Sequence, residues 1–197
     1  PFIWGIIYAT SIIEVNGNET EFDMNQASPS VIHVNITTGD IVTFTEMTDD
    51  GEYTRLSLPG FHLSRDMGEP ELPEIHSLIE IPQEALPRIE IIESSYRDYS
   101  LVDLGIENPI YPAQPSLSKS QNPGDIPFAK DADLYLKNTL LEKELVSVNI
   151  EGQLRAIRIA NLNIRPVDYN PIEGILRVYT SMEINIHMDG ANLAKTE

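Results

Sequence analysis

The chain has 197 residues, of which 41% are hydrophobic and 22% are charged, as is typical of a folded domain. Its formal net charge is −18, and affinity for nucleic acid or for an anionic membrane surface depends on clustered lysine and arginine, so both classes of partner are excluded. The absence of cysteine excludes thiolate catalysis, disulfides and zinc–thiolate sites within this chain.

The first residues form an apolar run. Pro1–Tyr8 is followed by the small residues Ala9, Thr10 and Ser11. An apolar run that ends in small residues resembles the end of a secretory signal peptide, with cleavage after Ala9 or Ser11, and it is too short to span a bilayer. The alternative is a first strand whose beginning is missing. Residues 1–11 are therefore interpreted as a signal-peptide remnant or a first strand, and the first interpretation predicts an exported protein.

Short β-branched or alternating runs, separated by turn residues, follow along most of the chain. The turn cluster Thr37–Asp40 predicts a hairpin, and Glu151-Gly152 predicts another. Tyr169–Gly174 is expected to connect the last strand pair, Ala160–Pro166 and Ile175–Met188. The other predicted strands are Val31–Ile36, Ile41–Thr45, Glu74–Ile81, Arg88–Glu93, Leu145–Ile150 and Leu154–Ile159.

Helical spacing is confined to one short segment, Ala132–Leu145. Many short strands with almost no helix predict an all-β, antiparallel β-sandwich or jelly-roll-like domain over residues 12–190. Residues 191–197 form a polar tail without a strand pattern, which we interpret as a linker.

The stretch Pro109–Pro127 has neither a strand nor a helix pattern. It is 19 residues long and contains five of the chain's 14 prolines, and Lys119 is its single basic residue. Because proline fixes φ and removes a backbone donor, the stretch is predicted to stay outside sheets and helices. Loops longer than about 12–15 residues are usually functional or disordered. This one is interpreted either as a loop presented to a partner or as a surface crossover between two sheets.

Catalytic and metal-binding motifs are missing from the sequence. The four histidines are isolated from one another, with none at i+2 or i+4 of another, and the acidic turn Met47–Glu52 lacks the D-x-D-x-D-G spacing of a calcium loop. There is no nucleophile elbow, P-loop or dinucleotide fingerprint. The sequence therefore predicts no metal site, no cofactor and no stand-alone enzyme.

Three short motifs follow one another along the chain in a characteristic order. Gly68–Pro73 reads G-E-P-E-L-P and leads into a predicted strand. Ile110-Tyr-Pro112 is followed by Ile126-Pro-Phe128, which begins 16 residues after Ile110. Ile164–Pro171 reads I-R-P-V-D-Y-N-P and runs into Gly174–Tyr179, which reads G-I-L-R-V-Y. Proline and glycine in the first segment force an extended entry into its strand, and Asn170-Pro171 with Gly174 predicts a tight hairpin connection.

Over residues 60–188 these motifs resemble the N-terminal propeptide of the gingipain family of cysteine peptidases. The resemblance implies a non-catalytic β-sandwich prodomain, which assists folding of a downstream caspase-like peptidase domain and blocks its active site until processing. In arginine-specific relatives a basic residue of the middle loop enters the specificity pocket, and the resemblance puts Lys119 in that role. The implied inhibitory loop comprises Leu117, Ser118, Lys119, Ser120 and Gln121.

Lysine stands where the arginine-specific relatives carry arginine, and a pocket built for a guanidinium is not automatically satisfied by an ammonium. Peptidase specificity for lysine or arginine therefore stays open. If the peptidase cleaves after basic residues, Lys195-Thr196 in the polar tail is a candidate processing bond, and the alternative is a solvated surface lysine.

A second hypothesis for the whole chain is a non-catalytic adhesion or carbohydrate-binding β-sandwich of an exported surface protein. Sugar binding favours aromatic platforms, and aromatic residues make up only 7% of this chain. Either hypothesis agrees with an extracellular, periplasmic or cell-surface location.

Overall fold

The computed structural model describes residues 8–17, 19–118, 121, 126–155 and 157–195. Within these ranges the strands pair in antiparallel sheets, and the one α-helix, α1 (Ala132–Tyr135), has four residues. The predicted all-β antiparallel fold is confirmed. The strands are β1 (Tyr8–Ile13), β2 (Glu21–Ser28), β3 (Val31–Thr37), β4 (Ile41–Thr48), β5 (Gly51–Ser57), β6 (His62–Leu63), β7 (Pro73–Ile81), β8 (Leu86–Ser100), β9 (Val146–Leu154), β10 (Ile157–Ile164), β11 (Val167–Asn170) and β12 (Ile175–Asp189).

The described strands form three sheets. The first has the order β1-β4-β5, and the second has the order β6-β7-β10-β9. The third has the order β11-β12-β3-β2, and β8 pairs along almost the whole of β12. Residues 8–13, part of the run interpreted as a signal remnant or first strand, form β1 and pair with β4.

Strand β12 contributes to both hydrophobic cores of the domain. Its inward-facing side chains recur at every second residue, as the strand period requires. Near the start of β12, Leu176 and Val178 lie in one core with Ile41 of the first sheet. Further along, Ile184 and Ile186 lie in the other core with residues of β7 and β10. The second and third sheets thus form a sandwich, and the first sheet covers a separate core beside it.

The hairpin predicted at Thr37–Asp40 is wrong. This segment passes from β3 in the third sheet to β4 in the first sheet, and the two strands do not pair. The buried Thr38 donates its backbone N–H to Thr180 and its hydroxyl to the carbonyl of Tyr179. The apolar side chains of β3 and β4 lie in different cores, which separates the strands although the connection is short.

The turn predicted at Glu151-Gly152 is also wrong. Strand β9 continues through these residues to Leu154, and its register with β10 shifts between Ile159 and Ala160. Gly152 has φ +143, a conformation that side-chain-bearing residues rarely adopt. Glycine inside a strand often marks a bulge, and here the extra residue of the bulge is Glu151, between the paired residues Ile150 and Gly152. The connection to β10 lies later, where Arg155 has φ 59.

The last strand pair differs from the prediction. β12 pairs with β11 and not with β10, which lies between β7 and β9 in the second sheet. The predicted tight connection is confirmed: the Asn170 side-chain oxygen accepts from the amides of Ile172 and Glu173, and Gly174 has φ +61. Helix in Ala132–Leu145 is limited to the single turn of α1, capped by the Asp131 side chain.

Candidate functional site

The proline-rich stretch begins as a buried extended segment. Thr54 of β5 donates to the carbonyl of Pro109 at 2.8 Å and accepts from the amide of Tyr111 at 2.8 Å. Ile110 is fully buried and forms a parallel bridge with Thr54. The prediction that the prolines keep this stretch out of the sheets is therefore wrong for its first residues. Pro109 takes part through its carbonyl and Tyr111 through its amide, so neither bond requires a proline N–H and the prolines do not prevent the pairing.

The opposite side of this extended segment contacts the motif segment Gly68–Pro73. The amide of Glu71 donates to Tyr111, and the amides of Gly68 and Ala113 make two further bonds, Gly68 to Ala113 and Ala113 to Glu69, each at 2.8 Å. The Gly68–Pro73 motif therefore binds the segment that leads into the loop, residues 109–114, which we call the first leg. Its spacing from the loop in sequence gave no indication of this contact.

Two buried tyrosines hold Ile110 at the root of the loop. The Tyr135 hydroxyl donates to the Ile110 carbonyl at 2.7 Å, and the Tyr169 side chain lies in the same buried core as Ile110. Burial raises the pKa of Tyr135 and raises that of Tyr169 to about 12. Both phenols are therefore neutral near neutral pH, and that of Tyr135 acts as a structural hydrogen-bond donor.

The chain returns from the loop through residues 128–131, which we call the returning leg. The two legs meet at Gln114 and Ala129. The Gln114 side chain accepts from the Ala129 amide at 2.9 Å and donates to the carbonyls of Ala129 and Pro112 at 2.8 and 2.9 Å. One step further from the tip, Gly68 bridges the same legs, because its N–H donates to Ala113 and its carbonyl accepts from Asp131 at 2.9 Å. We call these two sets of bonds the neck; they close the loop of residues 115–128.

Aromatic side chains pack against the returning leg. The Phe128 ring lies 5.4 Å from that of Tyr53 and 5.9 Å from that of Tyr111, distances typical of favourable aromatic pairs. Next to it, Lys130 donates to the Tyr53 hydroxyl at 3.1 Å and lies 5.1 Å from the centre of the Tyr135 ring. The returning leg is therefore anchored by packing as well as by the neck.

A partly buried ion-pair cluster supports these aromatic side chains. The Arg55 guanidinium lies 4.3 Å from the centre of the Tyr111 ring and binds Glu71 at 2.9 Å and Glu46 at 3.0 Å. Burial raises the pKa of Glu71, and the charge of Arg55 opposes that rise. The guanidinium thus joins β5, the Gly68–Pro73 motif and the first leg of the loop.

The described residues of the loop tip are exposed. Leu117, Ser118 and Gln121 are exposed, and Leu117 keeps 46% of its surface accessible. The Ser118 amide donates to the Gln121 side chain at 2.8 Å, and the Gln121 amide donates to the Ser118 carbonyl at 3.1 Å. The two residues that lie between them in sequence, Lys119 and Ser120, are outside the described part of the chain. The structure thus brings together the described members of the implied inhibitory loop.

The candidate processing bond lies at the end of the polar tail. Lys195 is the last residue of a 3₁₀ turn, Leu193–Lys195, and Thr196 is outside the described residues.

Among the described residues, no group of three or more histidine, aspartate or glutamate side chains could hold a metal ion. Three histidines instead contact polar neighbours: His33 contacts Asn185 and Glu183, His76 contacts Glu74, and His187 contacts Glu90. None of the described helices is long and apolar enough to cross a bilayer.

The neck, and the contact of the Gly68–Pro73 motif with the first leg, were missed by the sequence analysis. Gln114 lies between Pro112 and Pro115, and that position gave no reason to single it out. Gly68 was recognised as part of a motif and interpreted as an entry into a strand. Its φ of +81, and the 3.0 Å that would separate an added Cβ from the Asp131 nitrogen, explain why glycine stands there.

Comparison with protein families decides the family of the chain. Residues 21–196 match the model of Propeptide_C25. The chain belongs to this propeptide family. The resemblance derived from the three motifs is thereby confirmed, and this Propeptide_C25 domain is a non-catalytic prodomain.

Curated relatives agree with this assignment. Lys-gingipain HG66 of Porphyromonas gingivalis is 35% identical over 150 residues, which are 76% of this chain and 9% of the relative. Gingipain R2 of the same species is 21% identical over 173 residues, which are 88% of this chain and 21% of the relative. The domain thus spans about a tenth of the length of the Lys-gingipains that it matches.

Solved structures give the same fold. A structure described as giving insight into the zymogenic latency of gingipain K from P. gingivalis superposes with a TM-score of 0.84 at 29% identity, covering 92% of this chain and 99% of that one. A complex of the P. gingivalis RgpB pro- and mature domains superposes with a TM-score of 0.73, covering 86% of each chain. At 19% identity the second likeness concerns the fold alone.

Proposed function

We propose that this prodomain inhibits a downstream gingipain-like cysteine endopeptidase and assists its folding, and that it covers the active site with the loop around Lys119. The observation that carries the proposal is the loop of residues 115–128: its described tip residues, Ser116–Ser118 and Gln121, are exposed, while both of its legs are anchored at the neck. A segment that is fixed at its base and accessible at its tip suits insertion into a substrate cleft, because little conformational entropy is lost on binding.

Lys119 is the proposed inhibitory side chain, with Leu117, Ser118, Ser120 and Gln121 lying along the cleft. It is the one basic residue between Pro109 and Pro127. A charged side chain that becomes paired in a specificity pocket behaves as a hot spot, and truncation of such a residue costs about 2–4 kcal/mol. The higher identity to Lys-gingipain than to gingipain R2 supports a partner that accepts lysine.

The proposed partner is a caspase-like cysteine peptidase domain of the same precursor. The match to a propeptide family over residues 21–196 favours this hypothesis over the adhesion or carbohydrate-binding alternative. Family membership supports an exported protein, and we propose an extracellular, periplasmic or cell-surface location. Neither nucleic acid nor a membrane is part of the proposal, in keeping with the net charge of −18.

Release of the peptidase requires cleavage between the two domains. We propose Lys195-Thr196 as the processing bond for a peptidase that cleaves after basic residues. Mass spectrometry of the products formed by the full precursor tests this: a fragment ending at Lys195 is expected, and Lys195→Ala should abolish that fragment. Cleavage at another bond in the unchanged precursor would contradict the assignment.

The inhibitory role is tested by titrating the cognate peptidase with the purified prodomain. Tight inhibition and a stable one-to-one complex are expected at micromolar concentration, and failure to form that complex would overturn the proposal. Folding assistance is tested separately, because refolding of the peptidase domain should yield more active enzyme when the prodomain is present. An equal yield without it would remove the folding role.

The role of Lys119 is tested by Lys119→Ala in the same titration. The inhibition constant should rise at least tenfold, which corresponds to about 1.4 kcal/mol. The control is Lys137→Ala, which removes an exposed lysine outside the loop and should leave inhibition unchanged. If Lys119→Ala also inhibits as well as the unchanged domain, the body of the prodomain covers the cleft and the loop does not occlude it through this side chain.

A further inference from the structure

We propose that Gln114 is a positioning residue, whose side-chain amide holds the loop in its inhibitory geometry before the peptidase is met. This inference rests on the proposed function, and it concerns how the loop tip is presented to the active site. Gln114 does not belong to the tip, since Ser116–Ser118 and Gln121 are the exposed residues described there.

The Gln114 amide satisfies three backbone groups on two legs. Its Oε1 accepts from the Ala129 N–H, and its Nε2 donates both to the Ala129 carbonyl and to the Pro112 carbonyl. The side chain therefore pairs with Ala129 as a neighbouring strand residue would, with one bond in each direction. Pro112 and Pro115 on either side lack backbone donors, and the Gln114 side chain supplies two donors at this point.

The geometry specifies an amide at this position. Both carbonyls require a donor, and the Ala129 N–H requires an acceptor, so only a group that carries both can complete the set. A glutamate of the same length would keep the acceptor but would direct a carboxylate oxygen at two carbonyl oxygens. A methionine of similar length would fill the space and make none of the three bonds.

The Gln114 bonds are the part of the neck nearest the loop tip, and the Gly68 bonds lie one residue further back along the first leg. Gly68 joins Ala113 to Asp131, and Phe128 packs on Tyr53 and Tyr111. Without the Gln114 bonds, the loop would be held by Gly68 and by the aromatic contacts of the returning leg, and the first leg would be free from residue 114 onward. The body of the fold would keep its cores, since Gln114 contributes to neither.

Hydrogen exchange tests this arrangement in the purified domain without the peptidase. The amide of Ala129 should be protected in the unchanged domain and should exchange at least tenfold faster in Gln114→Met. Thermal unfolding should change little in the same variant, which separates a local opening of the neck from a loss of fold. Unchanged protection of Ala129 in Gln114→Met would overturn the proposal.

Inhibition assays test the positioning role with a double-mutant cycle. Gln114→Met and Gln114→Glu should each raise the inhibition constant about tenfold, mostly through faster dissociation, because a loosened loop must be ordered on binding. Gln153→Glu, an equal change of charge on the exposed part of β9, should have no effect. In a Lys119→Ala background, Gln114→Met should change the inhibition constant less than twofold, because the side chain that it positions is gone.

The outcomes separate this inference from the proposed function. If the unchanged domain fails to inhibit, the proposed function fails. If it inhibits and Gln114→Met inhibits equally well, only the role of Gln114 is overturned. If Gln114→Met weakens inhibition equally with and without Lys119, Gln114 acts through the body of the domain, and the positioning role is overturned as well.

Discussion

The Tyr135 hydroxyl donates to the carbonyl of Ile110 at 2.7 Å, and both residues are buried. This bond joins the single turn of α1 to the root of the proline-rich loop. Tyr135→Phe would leave the buried carbonyl without this donor, at a cost of about 1–3 kcal/mol in the free energy of unfolding. Urea denaturation measures the loss. Tyr96→Phe, on an exposed tyrosine of β8, is the control and should change stability by less than about 0.5 kcal/mol.

Gly68 is expected to tolerate no side chain. An added Cβ would lie 3.0 Å from the Asp131 nitrogen and 3.3 Å from the Lys130 carbonyl carbon, at a φ of +81. Gly68→Ala should therefore destabilise the domain by about 1–3 kcal/mol and should also loosen the neck. Gly60→Ala is a matched control, because Gly60 has φ +84 and no atom within 4 Å of an added Cβ. Equal losses in urea denaturation would mean that the contact with Asp131 contributes nothing.

Acid should weaken the connection between the third and first sheets. The amides of Val15 and Gly17 donate to the Asp40 carboxylate at 2.8 and 2.9 Å, and these bonds hold the pKa of Asp40 below its ordinary value of 3.8. A lowered folded-state pKa contributes stability that is fully present above the unfolded-state value and is lost as the pH falls through the folded-state value.

Asp40→Asn removes this contribution, so the variant should be less stable than the unchanged domain at about pH 6. The difference should narrow as the pH falls below 3.8. Urea denaturation across this range measures both effects. Asp103→Asn, on the exposed turn after β8, serves as the control. A difference that stays constant from neutral to acid pH would contradict the assigned cause.

Lys119→Arg tests which basic side chain the partner accepts. An ammonium and a guanidinium differ in shape and in the number of donors, so a pocket that fits one does not fit the other equally. We expect the variant to inhibit a lysine-specific peptidase less well than the unchanged domain does, and an arginine-specific one better. Inhibition constants against both enzymes give the ratio. If the ratio of the two inhibition constants is the same for the unchanged domain and for Lys119→Arg, the loop does not enter the specificity pocket through residue 119.

Much of the fold could be predicted from local patterns. β-Branched runs such as Val31–Ile36 became strands because alternation of apolar and polar side chains matches the strand period. The turn at Asn170–Gly174 was predictable because the Asn170 side chain and the positive φ of Gly174 act within a few residues. The pairing of strands was harder to predict. The wrong hairpin at Thr37–Asp40 shows that a short connection does not decide which strands pair.

The sequence by itself determined the strand-rich class, the propeptide family and the position of an isolated lysine in a proline-rich stretch. These properties depend on residue types, their alternation and the order of short motifs. Only the tertiary structure decided that Gly68 and Gln114 close the neck of that loop and that Tyr135 and Tyr169 hold its root. Those contacts join segments that are separated in sequence, and their hydrogen bonds depend on how β5, the Gly68–Pro73 motif and α1 pack together.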